Sequence, residues 1–304
     1  MESTIIYTVC TAAYLSQAKS LGDSITQNNP GCKLYIGLVD KIDKRIDCDF
    51  FLPHQITEVD QLSIPQFREM QKRYSLLELS CALKPWFALF FMEKFAANQA
   101  IYFDTDILVF SSLKIIDKEF DNHSILLTPQ ILSPFPDDGK RPHETSVLKT
   151  GIYNAGFFGV KNDENGLHFL NWWRNILVDH CFEDGKAGLS SDQSWLNFVP
   201  LFFDGVNIIR HPGCNAAYWN LHERKIEKSG DVFLVNYEPL IFYHFSGYSV
   251  QHPELISKHQ DRFKMNEFPA VKELFDIYRS RLFENKYDEM TRIPCVYKKK
   301  KWFV

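Results

Sequence analysis

The sequence is poor in the features that several common protein classes require. No apolar run approaches the ~20 residues that span a bilayer. A strand-like run starts at Ile5 with no basic flank before it, so no secretory leader is expected. The seven cysteines, at 10, 32, 48, 81, 181, 214 and 295, are scattered, odd in number and never in a C-x-x-C pair. That argues against a disulfide framework or a zinc site and suits a reducing compartment. A formal net charge of −4 lacks the basic excess of a nucleic-acid binder. Nothing repeats, and no low-complexity linker splits the chain. The expectation is a soluble, cytoplasmic protein with no nucleic-acid partner.

What is present points to an α/β architecture. Aromatics make up 15% of the 304 residues, with 26 Phe, which promises a bulky core or a stacking surface. Thr4 to Val9 (TIIYTV) reads as a strand, Tyr14 to Gln27 as a helix and Lys33 to Val39 (KLYIGLV) as a second strand. Strand, helix and strand within forty residues mark a parallel α/β unit, which binds ligands at the carboxyl ends of its strands. Pro65 to Leu83 reads as a helix and Pro85 to Phe95 as a second, apolar one. His123 to Thr128 and Gly151 to Val160 read as strands, the latter broken by Asn154-Ala155-Gly156. Asp163 to His180 is a helix, and another starts near Ser191 with Ser190 or Ser191 as its N-cap. Short strands are expected at Val206 to Ile209, Val232 to Val235 and Leu240 to Phe245. After Gly247 the character shifts, and Pro253 to Phe263 and Pro269 to Phe283 read as helices. Residues 1–250 therefore form the expected catalytic domain and 251–304 a C-terminal helical extension.

The chain is organised around Ala100 to Phe110, AIYFDTDILVF. Asp104 and Asp106 interrupt an apolar run where a core strand should meet solvent. Burying them unpaired would be very costly. A divalent cation is the natural counter-charge, and open-sphere carboxylate sites suit Mg²⁺ or Mn²⁺ bridged to a substrate diphosphate. A second D-x-D, Asp47-Cys48-Asp49, lies in a charged stretch and reads as a solvated loop.

Five features follow one another in order: Lys84, Asp104-Thr105-Asp106, Asn154-Ala155-Gly156, Asp192-Gln193 in SDQSWLN, and His244 in HFSG. This order resembles the GT-A glycosyltransferases of family 8, the retaining glycogenin and bacterial lipopolysaccharide galactosyltransferase type, over about Ile5 to Gly247. The resemblance implies a Rossmann-like mixed sheet flanked by helices. It also implies transfer of a sugar from a nucleotide-sugar, UDP being favoured, to a glycan or lipid-linked acceptor such as growing polysaccharide, with Mn²⁺ or Mg²⁺ as cofactor. Asp104, Asp106 and His244 then correspond to the metal ligands, with Asp104 also near the ribose. Tyr14 corresponds to the ring on the base, with Thr8 and Thr11 in the loop around it. Lys84 corresponds to the basic group on the sugar-nucleotide. Asn154 and Gly156 correspond to the strand lining the donor sugar, Gly247 to the glycine after the histidine, and Asp192 and Gln193 to the pair near the anomeric carbon. From the residues alone, Asp192 also reads as a helix N-cap, His244 as a core histidine and Tyr14 as a core aromatic.

The family often has Lys-Pro-Trp after its histidine motif, gripping the diphosphate; here Gly247 leads into Tyr248-Ser249-Val250-Gln251-His252-Pro253, with Lys258, His259 or Arg262 as substitutes. Residues 211–224 match no part of the core family pattern; they resemble a stretch of bacterial polysaccharide glycosyltransferases, and their Asn, Trp and Tyr read either as groups for sugar faces or as a packed loop. Three rivals remain: an inverting enzyme with Asp192 as base, a degenerate sugar-nucleotide-binding protein, and a sugar-nucleotide pyrophosphorylase. Val9 to Tyr14 (VCTAAY) lacks the Gly and basic residue that the last would need. The run Lys298 to Lys301 with Trp302 and Phe303 has two readings: contact with an anionic membrane at its inner face, or a solvated tail.

Overall fold

In the computed structural model, which describes residues 4–298, the opening alternation becomes β1 (Thr4–Cys10), α1 (Leu15–Asn28) and β2 (Leu34–Leu38). β1 and β2 pair in parallel and are buried on both faces, which is why they read as nearly unbroken apolar runs. β3 (Gln55–Glu58) extends the sheet in parallel. Then come α2 (Phe67–Arg73) and α3 (Leu76–Lys94). The expected break at Pro85 is absent; it falls instead at Tyr74–Ser75. There Ser75 Oγ accepts from the Glu78 N–H at 3.3 Å and the Glu78 carboxylate accepts from the Ser75 N–H at 2.7 Å. This capping box starts α3 firmly. Pro85 removes one backbone donor, while burial of Leu79, Leu83, Phe87 and Phe91 holds the helix through it.

The middle of the chain supplies β4 (Gln99–Phe103), β5 (Ile107–Val109), α4 (Lys114–Glu119), β6 (Ile125–Pro129), α5 (Glu144–Thr150), β7 (Tyr153–Lys161) and α6 (Glu164–His180). A small hairpin of β8 (Glu183–Asp184) and β9 (Leu189–Ser190) leads to a 3₁₀ turn at Gln193–Phe198, α7 (Val199–Phe202) and β10 (Val206–Ile208). Seven strands form one mixed sheet in the order β10-β6-β7-β4-β1-β2-β3, and β7 runs antiparallel to both neighbours. Apolar residues of α3 and α6 cover one face, while those of α1 and α4 cover the other.

The remaining elements are β11 (Ala216–Ala217), β12 (Ile226–Ser229), β13 (Val232–Val235), β14 (Glu238–Pro239), β15 (Phe242–His244), α8 (Pro269–Glu284) and α9 (Tyr287–Met290). β11, β15 and β5 make a second small sheet. α8 packs through Phe275 and Tyr278 on Phe245, the residue after β15, with Tyr278 stacked on Phe245 at 4.1 Å. The helix expected at Pro253 to Phe263 does not form. Gln260 and Phe263 instead close a local turn, the Phe263 N–H donating to Gln260 Oε1 at 2.7 Å and Gln260 Nε2 donating to the Phe263 carbonyl at 2.9 Å. No helix among the described residues is long and apolar enough to cross a membrane. Of the basic tail, Lys299 to Lys301 and Trp302 to Val304 lie outside the described residues.

Candidate active site

Strand register builds the site. β4 pairs with β7 so that Phe103 faces Phe157, and one residue further the Asp104 N–H donates to the Gly156 carbonyl at 2.8 Å. β15 pairs with β5 so that His244 faces Ile107, and the Phe245 N–H donates to the Asp106 carbonyl at 2.8 Å. The D-x-D turn is thus clamped between two strands far away in sequence. Among the described residues, Asp104, Asp106 and His244 form a cluster with ligand atoms all within 4.8 Å of one another.

His244 is oriented by Asn154. Asn154 Oδ1 accepts from the Gly156 N–H and from Asn215 Nδ2, each at 3.2 Å, and lies 3.2 Å from His244 Nδ1. With Oδ1 an acceptor, His244 Nδ1 carries the proton and Nε2 presents a lone pair. Nε2 sits 3.0 Å from Asp106 Oδ1. A lone pair facing a carboxylate oxygen at that distance needs a positive charge, either a proton on the ring or a cation held by both atoms. Adjacent ligands of an octahedral ion at about 2.1 Å stand about 3.0 Å apart. Burial alone would lower the His244 pKa, but Asp106 and then Asp104 raise it. Burial likewise opposes the Asp106 charge, and His244 outweighs it, so that carboxyl lies below its ordinary range. An imidazole and two carboxylates, one already oriented through its second nitrogen, fit a divalent ion.

Lys84 joins this cluster to the acidic pair downstream. Its Nζ lies 3.2 Å from Asp104 Oδ1 and 2.9 Å from Asp192 Oδ2, and it donates to the Ala155 carbonyl at 3.1 Å. The contact to Asp192 is an ion pair rather than an aligned hydrogen bond. Burial works against the Lys84 charge, yet Asp104 and Asp192 hold its pKa well above the usual lysine value. Burial pushes Asp192 up, only partly offset by Lys84. Asp192 makes no N-cap hydrogen bond despite preceding the 3₁₀ turn. Gln193 is pinned at both ends of its amide: Oε1 accepts from Asn154 Nδ2 at 2.9 Å and the Ala155 N–H at 3.0 Å, and Nε2 donates to the Thr150 carbonyl at 2.8 Å.

Two cavities meet at these groups. One, of about 550 Å³, runs from Cys10, Thr11 and Tyr14 past Lys84 to Asp104 and Asp106. The other, of about 560 Å³, continues from Lys84, Asp104 and Asp106 to Asn154, Gly156, Asp192, Gln193 and His244. Tyr14 is half exposed at the rim of the first. Thr8 departs from expectation. It lies within β1 rather than in the loop, is fully buried, lines neither cavity, and its hydroxyl has no partner among the described residues. Gly247 lines neither cavity; its φ of +74° and the packing of Ser257 and His259 against its Cα demand a glycine. Of the three expected substitutes for the missing lysine, none reaches the first cavity. Arg262 Nη1 is tied to Asp138 at 2.6 Å and Nη2 donates to the Lys140 and Pro142 carbonyls, Lys258 lines neither cavity, and His259 lines the second.

Sequence reasoning missed Tyr102. Tyr102 donates to Asp104 Oδ1 at 2.6 Å. Residues 211–224, which the sequence leaves open between sugar-binding Asn, Trp and Tyr and a packed loop, lie at the site too. Asn215 supports Asn154, Asn220 Nδ2 donates to the Gln130 and Asn215 carbonyls, and the Trp219 ring meets His244 edge-on at 5.2 Å. Tyr218 and Trp219 line the second cavity. The signal was the density of Asn and aromatic residues in that stretch, but nothing local aims it at His244.

No protein-family model matches the chain. It is 25% identical over 271 residues to the uncharacterized protein YfnF of Bacillus subtilis (strain 168), covering 88% of this chain and 89% of the relative. It is 30% identical over 200 residues to the uncharacterized protein YfnD of the same organism, covering 64% of this chain and 61% of the relative. Among solved structures, the apo bifunctional glycosyltransferase WbbM superposes with a TM-score of 0.52 at 12% identity, over 93% of this chain and 50% of that one. That likeness shows the fold: the chain has the mixed-sheet GT-A glycosyltransferase fold expected from its sequence.

Proposed function

We propose that this chain is a metal-dependent, retaining glycosyltransferase that takes a sugar from a nucleoside-diphosphate sugar, with UDP the preferred carrier, and passes it to a glycan or lipid-linked acceptor. The observation that carries the reading is the Asp104–Asp106–His244 cluster at the junction of the two cavities. The first cavity, with Tyr14 and Thr11, takes the nucleoside. The second, with Asn154, Gly156, Asp192 and Gln193, takes the sugar. Asp104, Asp106 and His244 would hold a divalent ion, Mn²⁺ or Mg²⁺, which supplies Lewis-acid stabilisation of the departing diphosphate.

The chain's own groups do the rest. Gln193, locked by Thr150, Asn154 and Ala155, presents a fixed amide dipole to an anomeric carbon that becomes oxocarbenium-like. Lys84 keeps Asp192 and Asp104 in place at little cost in reorganisation. Gly156 admits His244 and the sugar to the same strand. An acceptor hydroxyl entering on the leaving-group side loses its proton to a phosphate oxygen, so no protein base is needed. The inverting alternative rests on one observation, the raised pKa of Asp192 in the sugar cavity, which is the property of a general base.

The test is release of nucleoside diphosphate across a panel of nucleotide sugars, with Mn²⁺ and with chelator, using Asp106→Ala as control. Release from one donor, abolished by chelator and by the variant, is the expected result. Silence across the panel together with no metal-dependent nucleotide binding would sink the reading in favour of a degenerate binding protein. NMR of the first product's anomeric proton then separates retention from inversion.

A further inference from the structure

The first cavity has a wall that the catalytic motifs do not explain. Thr291, Arg292, Ile293, Pro294, Cys295 and Lys298 line it, all from the segment after α9. That segment lies across the carboxyl end of β2, where such sheets bind ligands. It is fastened there at three points. The Val296 N–H donates to Asp40 Oδ1 at 2.9 Å, the Cys295 thiol donates to the Val39 carbonyl at 3.4 Å, and the Tyr297 hydroxyl donates to Asp60 Oδ1. Tyr297 also meets the Phe67 ring edge-on at 5.0 Å. Arg292 and Lys298 themselves are exposed and make no ion pair among the described residues.

The charges around this cavity are unevenly matched. Lys84 is consumed by Asp104 and Asp192, both within ion-pair distance. Lys84 against Asp104, Asp106 and Asp192 leaves two uncompensated negative charges, which a divalent ion cancels. Nothing then remains among those groups to meet the ionised phosphates of a donor. Arg292 and Lys298 are the other cations lining this cavity. They restore the balance, and Arg adds the forked donor geometry that suits phosphate.

Resting on the glycosyltransferase reading, we propose that Arg292 and Lys298, carried on the strap that Asp40 and Asp60 anchor, bind the diphosphate of the donor. They take the place of the lysine missing after Gly247. The strap makes this part of the donor site from the far end of the chain.

The experiment is calorimetric binding, with Mn²⁺ present, of UDP, GDP, ADP and CDP and of the matching nucleosides, to the full chain and to an Arg292→Ala/Lys298→Ala variant. Thermal melting serves as the folding control. The best-bound diphosphate should lose about tenfold or more in affinity. The salt dependence of its binding should flatten, while the nucleoside affinity and the Tm stay put. Arg292→Lys should recover part of the loss. Equal diphosphate binding by wild type and variant overturns the inference and leaves the glycosyltransferase reading standing. Equal loss for diphosphate and nucleoside overturns it as well, because the strap would then act only as a wall. Wild-type protein that binds none of the diphosphates overturns inference and reading together.

Discussion

Replacing Gly156 with alanine separates the site from the fold. A Cβ there would stand 2.4 Å from His244 Cε1, 2.7 Å from Asn154 Oδ1 and 2.8 Å from His244 Nδ1. Ordinary contact begins at 3.4 Å, so the imidazole must retreat by about 1 Å (3.4 − 2.4). His244 is buried and held between Asn154 and the Trp219 ring, so it has little room to retreat without breaking its bond to Asn154. Overpacking of this kind costs about 1–3 kcal/mol, which for a chain of this size lowers Tm by roughly 2–10 °C. Loss of the orienting partner of a metal-ligating histidine typically costs about 10–100-fold in metal affinity. Titration of Mn²⁺ into Gly156→Ala, followed by melting with and without the ion, reads both quantities. The expected result is a modest fall in the apo Tm and a large fall in Mn²⁺ affinity. A variant that binds Mn²⁺ as tightly as wild type would refute the packing argument and the assignment of His244 to the ion.

Two further outcomes follow from buried and half-buried charge. Lys84→Met leaves Asp192 without its cation in a buried setting and should destabilise the chain by about 3–5 kcal/mol in chemical denaturation; adding Asp192→Asn to that variant should recover much of the loss, and no recovery would mean that the pair is not the source. Asp23 accepts from Lys19, His54 and Asn285. Burial works against its charge, but His54 and Lys19 outweigh it and hold its carboxyl below the ordinary 3.8. A depressed folded-state pKa contributes stability that is present above the unfolded value and disappears as pH falls through the folded one. Asp23→Asn should therefore be less stable than wild type by about 1 kcal/mol at neutral pH, with the gap closing as pH drops below about 4; a gap that persists at pH 3 would show that the cause is not charge.

Much of the site was legible because its parts sit at strand ends, where sequence changes abruptly. Asp104 and Asp106 stand out against Tyr102, Phe103 and Ile107, and Asn154 to Gly156 interrupt an apolar strand in the same way. Helix boundaries were less legible. Pro85 looked like a stop, but propensity yields to burial in α3, and the real boundary is set by the reciprocal bonds of Ser75 and Glu78. Pro253 to Phe263 looked helical by composition, but side-chain bonds such as that of Gln260 to Phe263 offered the backbone a turn instead.

The sequence by itself determined the α/β alternation, which is written in local periodicity, and the two carboxylates of the D-x-D turn, which are polar residues misplaced within an apolar run; the mixed sheet and the place of His244 at the site followed from the resemblance of the motif order to the family 8 GT-A glycosyltransferases. Only the tertiary structure decided which of them touch. The register of β5 with β15 brings His244 to Asp106, and that of β4 with β7 brings Gly156 to Asp104. Asn154 becomes the orienting partner of His244, Lys84 becomes the link from Asp104 to Asp192, and the strap with Arg292 and Lys298 becomes a wall of the first cavity. The physical reason is that periodicity constrains the neighbours three or four residues away, whereas these contacts join residues twenty to nearly three hundred positions apart, where only strand pairing and side-chain packing in three dimensions set the distance.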